Sequence, residues 1–376
     1  MNTGTLEDYL AVVAPSVPGE LVSRDNLAHI KAVARFLPRQ MTSYLGLECR
    51  LGTGPSRVDL AVATNAREAA VLGGRGFPLW DNSELEGAED GMSRLVWSCL
   101  RQFYGLWAEA ASGWPEQIDS LWLELDVDGR PAGLPVPNFF FRLRGGVTSG
   151  EGGLAAEGYR WIAQMALPVV LGRPVAASLE KQMLACLVAA RPARLVHVGL
   201  MLPRTTDSLR LVFGHVPISD VPAVLSQLGW PGSPRALAAR LKPLPDWVDS
   251  VALHVDLGER LGAQIGLECY VRDKGQSDAW RPLLHGLIAC GLCRPDKAEA
   301  LLRAWPGYTT EDTCPDRWPE NLAMVSSLLG FRARSAFVRS VHHVKLTYDP
   351  AGGMEAKAYL AIEHRWLWAA AEEPER

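Results

Sequence analysis

Ten short segments in which apolar residues alternate with other residues constrain this fold most, because they occur as five closely spaced pairs. The pairs are 43–51 with 57–64, 120–127 with 138–143, 194–202 with 208–214, 250–257 with 264–271, and 341–348 with 357–363. A period of two is typical of strands that bury one face. The links inside the pairs are short and rich in Gly, Pro and Asp, which predicts five antiparallel hairpins.

Between the hairpins the apolar spacing changes to three and four residues, which is typical of amphipathic helices. The segments with this spacing are 26–39, 91–108, 155–167, 178–190, 221–228, 234–241, 281–292, 296–305 and 321–330. Ten such strands could form two sheets or one closed barrel. Closure removes both sheet edges and lets the helices cover the outer face. We therefore predict one α+β domain over residues 1–376, in which five α-β-β-α repeats close into a ten-stranded antiparallel β-barrel ringed by helices.

The alternation also assigns side chains to the lumen or to the helices. In the first strand the apolar set must pack outward, so Glu48 and Arg50 are expected to point inward. Over the ten strands this reasoning sends about six cations, about seven carboxylates and three histidines into the lumen. They are Arg50, Arg57, Arg142, Arg210, Lys345, Lys357, Glu48, Asp59, Glu124, Asp126, Asp256, Glu268, Glu363, His197, His254 and His343. His342 is expected to point outward. Because ten strands leave more room than eight, the lumen is predicted to be a wet binding site.

Composition excludes several classes of protein. The net charge is −4 and no basic block stands out, which argues against nucleic acid as the main partner. We find no signal peptide and no run of 18 apolar residues, and seven cysteines are an odd number, so we expect a cytoplasmic monomer with reduced thiols that does not enter membranes. Cys290 and Cys293 form a single CxxC, for which core packing is favoured over zinc binding.

With these five repeats and a polar lumen, the chain resembles the ABBA or PT-barrel aromatic prenyltransferases. Lys357-Ala358-Tyr359 matches the Lys-x-Tyr spacing of that family, in which both side chains face the lumen, although the family repeats this spacing on several strands. The segment 342–366 is also similar to uncharacterised bacterial proteins associated with ribosomal-peptide clusters, which implies that the acceptor could be a peptide side chain.

The resemblance implies an enzyme that transfers an allylic group from its diphosphate to an aromatic or peptide acceptor. It implies no required cofactor, although Mg²⁺ could bridge the lumen carboxylates and a diphosphate. Glu48 would be the catalytic base or acceptor anchor, and Tyr270 and Tyr359 would shield the allyl cation. The diphosphate would be bound by Arg50, Arg57, Arg210, Lys345 and Lys357. The rest of the acceptor site would be formed by Trp122, Glu124, Asp126, His254 and Glu268.

Two other interpretations of the same lumen remain open. Glu124, Asp126, His254 and Glu268 could form a carboxylate–histidine site, with or without a metal, in a hydrolase or lyase that modifies peptides. Alternatively, the barrel could bind a peptide without catalysing any reaction.

Overall fold

The structure is a computed structural model that describes residues 4–54, 57–73, 91–127, 129, 133–147, 158–204, 208–244, 247–248, 250–271, 276–330 and 332–368. Its strands are β1 Tyr44–Arg50, β2 Val58–Asn65, β3 Ile118–Leu125, β4 Asn138–Val147, β5 Arg194–Leu200, β6 Leu209–Pro217, β7 Ser250–Leu257, β8 Leu261–Cys269, β9 Gly307–Thr310, β10 Ala333–Asp349 and β11 Gly353–Trp368. All five predicted hairpins are present. The last one is longer than the sequence pattern indicated, because its strands continue beyond the region of strict alternation.

The strands form one antiparallel ring. Neighbours follow the chain from β1 to β8, β8 then pairs with β10, and β11 pairs with both β10 and β1. The short β9 adds only to the first part of β10, outside the ring. The prediction of a closed ten-stranded barrel is therefore confirmed. All five hairpin turns lie at one end of the barrel, here called the turn end, and the helical connections leave from the other, the helix end.

Helices precede the first hairpin and occupy every gap between the hairpins. They are α1 Leu6–Val13, α2 Arg24–Ala34, α3 Ala66–Gly73, α4 Gly91–Ala108, α5 Trp114–Gln117, α6 Leu167–Leu171, α7 Ala177–Ala189, α8 Val221–Gln227, α9 Pro234–Leu241, α10 Arg281–Ala289, α11 Pro295–Glu299 and α12 Glu320–Leu328. Single π-helical turns at Ile162–Ala166 and Ala300–Ala304 adjoin α6 and α11. The apolar spacing did not predict α1, α3 or the short α5, and residues 155–157 of one predicted helix lie outside the described residues.

The core lies between the outer face of the barrel and the helices, as the alternation predicted. In β1, Leu45, Leu47 and Cys49 are fully buried on the outer face, while Glu48 and Arg50 remain partly exposed in the lumen. The CxxC is only half in the core, because Cys293 is buried but Cys290 is exposed. In the described part of the chain, no helix has both the length and the apolar character needed to cross a bilayer.

One strand departs from strict alternation. Val341 pairs with Leu360 and His343 pairs with Tyr359, so His342 is an extra residue that forms a β-bulge in β10. The bulge turns the His342 ring toward Tyr44 and Trp122, which both face the lumen. The expectation that His342 points outward is therefore wrong, and both histidines lie on the inner side of the barrel.

Contacts between aromatic rings in the core attach α4 to the outer face of the barrel, and they lead to a prediction about stability. The fully buried Phe103 ring lies 4.8 Å from that of Trp114 and 5.0 Å from that of Phe139, measured between ring centroids. We expect Phe103→Ala to lower the free energy of unfolding by about 4 kcal/mol, because it leaves a cavity that rigid neighbours cannot fill. Urea unfolding followed by circular dichroism measures this loss. Leu95→Ala on the same helix is the control, since that side chain is 53% exposed and its loss should change stability by less than about 0.5 kcal/mol. Equal losses in the two variants would contradict this packing.

Candidate active site in the barrel lumen

A charged cavity of about 230 Å³ occupies the turn end of the lumen. Ten of the thirteen predicted site residues line it: Glu48, Arg50, Arg57, Glu124, Asp126, Arg210, His254, Lys345, Lys357 and Tyr359. Sequence analysis missed Arg204 and Glu355 in this lining. Glu355 is two positions before Lys357 and therefore points to the same face, so extending the last predicted strand by two residues would have identified it. Arg204 lies in a hairpin link, where no alternation predicts the direction of the side chain.

Glu48 is the centre of the best-defined contacts in the cavity. Lys357 Nζ donates to Glu48 Oε1 at 2.5 Å, and the Tyr359 hydroxyl donates to Glu48 Oε2. Burial alone would raise the pKa of Glu48, but Lys357 and Lys345 outweigh it and hold that pKa below its usual value. The same contact raises the pKa of Lys357 despite its burial. Glu48 is therefore an ionised carboxylate with both oxygens engaged, which makes it a weak base.

Arg210 and Asp256 form a second ion pair elsewhere in the cavity lining. Arg210 Nε and Nη2 donate to the two carboxylate oxygens of Asp256 at 2.7 and 2.8 Å, in the bidentate geometry that fixes both side chains. Burial works against the Asp256 carboxylate, yet the bonds from Arg210 lower its pKa. The guanidinium is thus oriented before any ligand binds.

Lys345 is the most deeply buried cation of the cavity. The residue is 6% exposed, and its Nζ donates to His254 Nδ1 at 3.4 Å and lies 5.9 Å from the centroid of the Tyr359 ring. In the sheet Lys345 is directly opposite Lys357 on one side and Glu268 on the other. Burial lowers the pKa of Lys345. A buried ammonium with so few strong hydrogen bonds is suited to receive an anionic ligand.

Two carboxyl groups of the cavity change the balance of charge. The lining contains six basic side chains and six acidic ones, so the formal charges cancel. However, burial raises the pKa of Glu124 to about 7, and burial together with Glu48 raises that of Asp59 to about 6. Partial protonation of these two groups near neutral pH reduces the negative charge of the lining, which favours the binding of anions.

The three other predicted residues, Trp122, Glu268 and Tyr270, lie further toward the helix end. The Tyr44 ring is 5.2 Å from that of Trp122 and 5.7 Å from that of His342, and the Tyr270 ring is 6.0 Å from that of His342. All four of these rings are half-buried. They form an aromatic cluster that solvent reaches in part, next to the charged cavity.

Glu268 joins this cluster to the charged cavity. Its Oε2 accepts from the Tyr270 hydroxyl at 2.7 Å, and its Oε1 lies 2.9 Å from His254 Nε2 and 3.7 Å from His343 Nε2. Burial opposes the Glu268 carboxylate, but the two histidines hold its pKa well below the usual range. Burial lowers the pKa of His254 to about 4 and that of His343 well below its ordinary value. Glu268 is therefore ionised, and both histidines are neutral at neutral pH.

The residues of the hydrolase or lyase interpretation do not converge on one point. His254 contacts Glu268, whereas Asp126 is exposed and accepts a hydrogen bond from Asn138 Nδ2 at 3.3 Å. Among the residues that the structure describes, no three His, Cys, Asp or Glu side chains are grouped so that they could hold a metal ion.

Comparison with solved structures finds similar folds. The chain is similar to 6-dimethylallyltryptophan synthase from Micromonospora olivasterospora (14% identity, 94% of this chain and 95% of that chain, TM-score 0.49). It is similar to 5-dimethylallyltryptophan synthase from Streptomyces coelicolor (14%, 96% and 98%, 0.46). It is also similar to AnaPT from Neosartorya fischeri (11%, 100% and 94%, 0.47). No protein-family model and no curated protein sequence matches the chain.

At these identities the likeness concerns the fold alone, and it is the topology described above that defines the architecture. Five hairpins separated by helices close in chain order into a ten-stranded antiparallel ring around a charged lumen. The chain has the architecture of a PT barrel, and its fold resembles that of the ABBA prenyltransferases.

Proposed function

We propose that the chain is a prenyltransferase, which moves an allylic isoprenoid group from its diphosphate to an aromatic acceptor, either free or as a peptide side chain. The observation that carries the proposal is the arrangement of the lumen: six cations line one end, Tyr359 lies in the middle, and the aromatic cluster lies at the other end. The donor would bind from the turn end and the acceptor from the helix end.

The charged cavity would bind the diphosphate. Its cationic residues are Arg50, Arg57, Arg204, Arg210, Lys345 and Lys357. When the bond between C1 of the donor and the bridging oxygen breaks, the electron pair leaves with the diphosphate, and these cations stabilise the charge that develops. Because Arg210 and Lys357 are held by Asp256 and Glu48 before the reaction, their part of this stabilisation requires little reorganisation.

Tyr359 would shield the allyl cation. Its ring lines the cavity, and the His343 ring stacks on it with a centroid distance of 4.0 Å. The face of an aromatic ring attracts a delocalised cation, and a dry pocket protects that cation from water. Tyr270, which the sequence suggested for the same role, lies in the aromatic cluster and would contact the acceptor instead, together with Trp122. Glu48 would position Lys357 and Tyr359.

The test is binding and transfer with defined compounds. Isothermal titration calorimetry with dimethylallyl, geranyl and farnesyl diphosphate measures donor binding, and mass spectrometry after incubation with tryptophan, phenols and Trp- or Tyr-containing peptides detects transfer. We expect micromolar affinity for at least one diphosphate and a product heavier by one isoprenoid unit. If none of the three diphosphates binds, the proposal is rejected. Binding of peptides without any turnover would favour the non-catalytic barrel.

We also expect transfer to need no divalent cation. Six basic side chains line the cavity and would offset the charge of a diphosphate, so EDTA should leave at least half of the transfer rate. The measurement compares initial rates in EDTA with rates in millimolar Mg²⁺. If EDTA abolishes transfer and Mg²⁺ restores it, the carboxylates of the cavity hold a metal and this part of the proposal is wrong.

A further inference from the structure

Glu124 differs from the other acidic side chains deep in the lumen, because it has no hydrogen-bonding partner. Glu48, Asp59, Asp256 and Glu268 each accept at least one hydrogen bond. In the part of the chain that the structure describes, no group donates a hydrogen bond to the Glu124 carboxyl group and no cation forms an ion pair with it. Its side chain lines the charged cavity, so the carboxyl group is available to a ligand.

Glu124 lies between the donor end and the acceptor end of the lumen. It follows Trp122 of the aromatic cluster by two residues along β3, so both side chains leave the same face of the strand, about 7 Å apart. Across the sheet, Glu124 is directly opposite Ala61 on β2. Glu48 is directly opposite Asp59, which lies two residues nearer to the turn end on that strand. An acceptor in the aromatic cluster would therefore meet Glu124 before it reaches Glu48.

A buried amide next to Glu124 can accept a hydrogen bond from its protonated form. Asn138 is directly opposite Glu124 on β4, a position in which two Cβ atoms are about 5 Å apart, and it also lines the cavity. Its Nδ2 donates to Asp126, but its Oδ1 is buried and accepts no hydrogen bond from any group that the structure describes. An unpaired buried acceptor destabilises the folded chain, and a protonated carboxyl group on Glu124 would supply the missing donor.

The surroundings of Glu124 bring its proton affinity close to neutral pH. Charged groups face it from four other strands: Glu48 on β1, Arg210 on β6, Glu268 on β8 and Lys345 on β10. Burial raises the pKa of Glu124 to about 7, while the two cations and the two carboxylates act in opposite directions. The pKa values of Glu48 and Glu268 are held low, so these two groups are much weaker bases. A general base works best when its pKa is near the working pH.

We propose that Glu124 is the general base that removes the proton from the aromatic acceptor, and that Asn138 positions its carboxyl group. This inference rests on the proposed function, and it assigns to another strand the role that the family resemblance implies for Glu48. The C1–O bond of the donor breaks and its electron pair leaves with the diphosphate, while the acceptor ring uses a π electron pair to form the new bond to C1. The ring carbon then loses its proton to a carboxylate oxygen of Glu124, and the electrons of that C–H bond restore aromaticity. The neutral carboxyl group donates to Asn138 Oδ1 until it releases the proton to solvent.

The first test measures catalysis. We expect Glu124→Gln, which keeps the shape and removes the base, to lower the turnover number by about 100- to 10,000-fold, the range usual for loss of a general base, while the diphosphate Kd changes less than threefold. Deuterium at the substituted carbon of the acceptor should slow the variant at least twofold more than it slows the wild type, because deprotonation becomes rate-limiting. Glu116→Gln, which changes an exposed glutamate on α5, is the control and should behave as wild type. A loss of turnover smaller than tenfold in Glu124→Gln would overturn the proposal.

The second test uses the pH profile, which a purely structural role would not change. Wild-type turnover should rise with pH around neutrality, because the ionised form of Glu124 is the base, and this rise should be absent in Glu124→Gln. Asn138→Ala removes the acceptor that stabilises the neutral carboxyl group, so the pH of half-maximal turnover should fall by about half a unit to one unit. If the profile of Asn138→Ala has the same midpoint as that of the wild type, Asn138 does not position the carboxyl group.

The third test does not depend on turnover. Carbon NMR of the glutamate carboxyl groups in the full-length protein follows the titration of Glu124, whose signal is identified by its loss in Glu124→Gln. We expect a midpoint near pH 7, and saturating inorganic diphosphate should raise it, because a bound anion disfavours a further negative charge. A midpoint below about pH 5 with diphosphate bound would overturn the assignment of Glu124 as the base. If the wild type binds diphosphate but transfers to no acceptor, the proposed function fails, and the titration decides by itself whether Glu124 is a basic group at neutral pH.

Discussion

Replacing Lys345 with Met is expected to weaken the binding of an allylic diphosphate by about 10- to 100-fold, because charge-assisted hydrogen bonds to a buried cation are worth roughly 1.5–3 kcal/mol. Lys345 and Tyr359 both line the charged cavity, with Lys345 Nζ 5.9 Å from the centroid of the Tyr359 ring, so that this Nζ would contact the diphosphate close to the bond that breaks. The turnover number should fall as well, since the same ammonium stabilises the departing diphosphate. Calorimetry with the best donor measures the first effect and single-turnover kinetics the second.

The same substitution should not lower stability. Burial lowers the pKa of Lys345 in the folded chain, which means that folding opposes the charged form. A lysine of this kind destabilises the folded state at every pH below its folded pKa, and the penalty disappears only as the pH rises above its unfolded pKa. Methionine has a similar shape and no charge, so the melting temperature at neutral pH should equal or exceed that of the wild type.

An exposed lysine provides the matched control. Lys181→Met on α7 changes the same side chain in solvent, so neither donor affinity nor melting temperature should move. A Lys345→Met protein that melts normally and still binds the donor within threefold of wild type would show that Lys345 does not contact the diphosphate. A variant with a melting temperature well below that of the wild type would show that the Lys345 ammonium stabilises the folded chain instead of destabilising it.

The sequence could predict the barrel because its signal is local and repeated. Each hairpin shows a period of two on both sides of a short turn, and the burial of Leu45, Leu47 and Cys49 opposite Glu48 and Arg50 follows from that period alone. Five repeats of the pattern leave few arrangements that bury all the apolar faces. The parity of a residue therefore predicted its face correctly along the regular strands.

The odd or even position of a residue in its strand predicts which face it lies on, but not its height along the barrel axis. The sequence therefore could not predict which inward-facing residues lie at the same level. Trp122 and Tyr270 face inward as predicted, but they lie in the aromatic cluster because the strands are staggered around the ring. Nor does parity survive a bulge. Nothing in the residues around His342 signals the extra position, because its register depends on a partner strand, Gly353–Trp368, that follows in the chain. The pairing of Glu48 with both Lys357 and Tyr359 likewise requires the closure of the first strand on the last.

The ion pair between Glu48 and Lys357, which joins the first strand to the last, should be essential for stability. Lys357 and Glu48 are about 300 residues apart in sequence but directly adjacent in the ring, with side chains 19% and 12% exposed. Removing one member of a buried ion pair leaves the other charge without compensation, so we expect Glu48→Gln to lower the free energy of unfolding by about 3 kcal/mol. Lys357→Met should have a similar effect. In the double variant no unpaired charge remains, so its loss should fall short of the sum of the two single losses by at least about 1 kcal/mol.

The pH dependence of this loss follows from the two pKa shifts. The pKa of Glu48 lies below 4.5 in the folded chain, so the stability it contributes is present above about pH 4.5 and is lost as the pH falls through the folded value. The pKa of Lys357 lies above 10.5, so its contribution is present below that pH and is lost as the pH rises through the folded value. The difference between wild type and Glu48→Gln should therefore be constant from about pH 6 to 9 and narrow in acid. Urea unfolding at pH 3.5, 5, 7 and 9 measures it. A difference that stays the same at pH 3.5, or single losses that simply add in the double variant, would mean that Glu48 and Lys357 do not stabilise the closed ring through their charges.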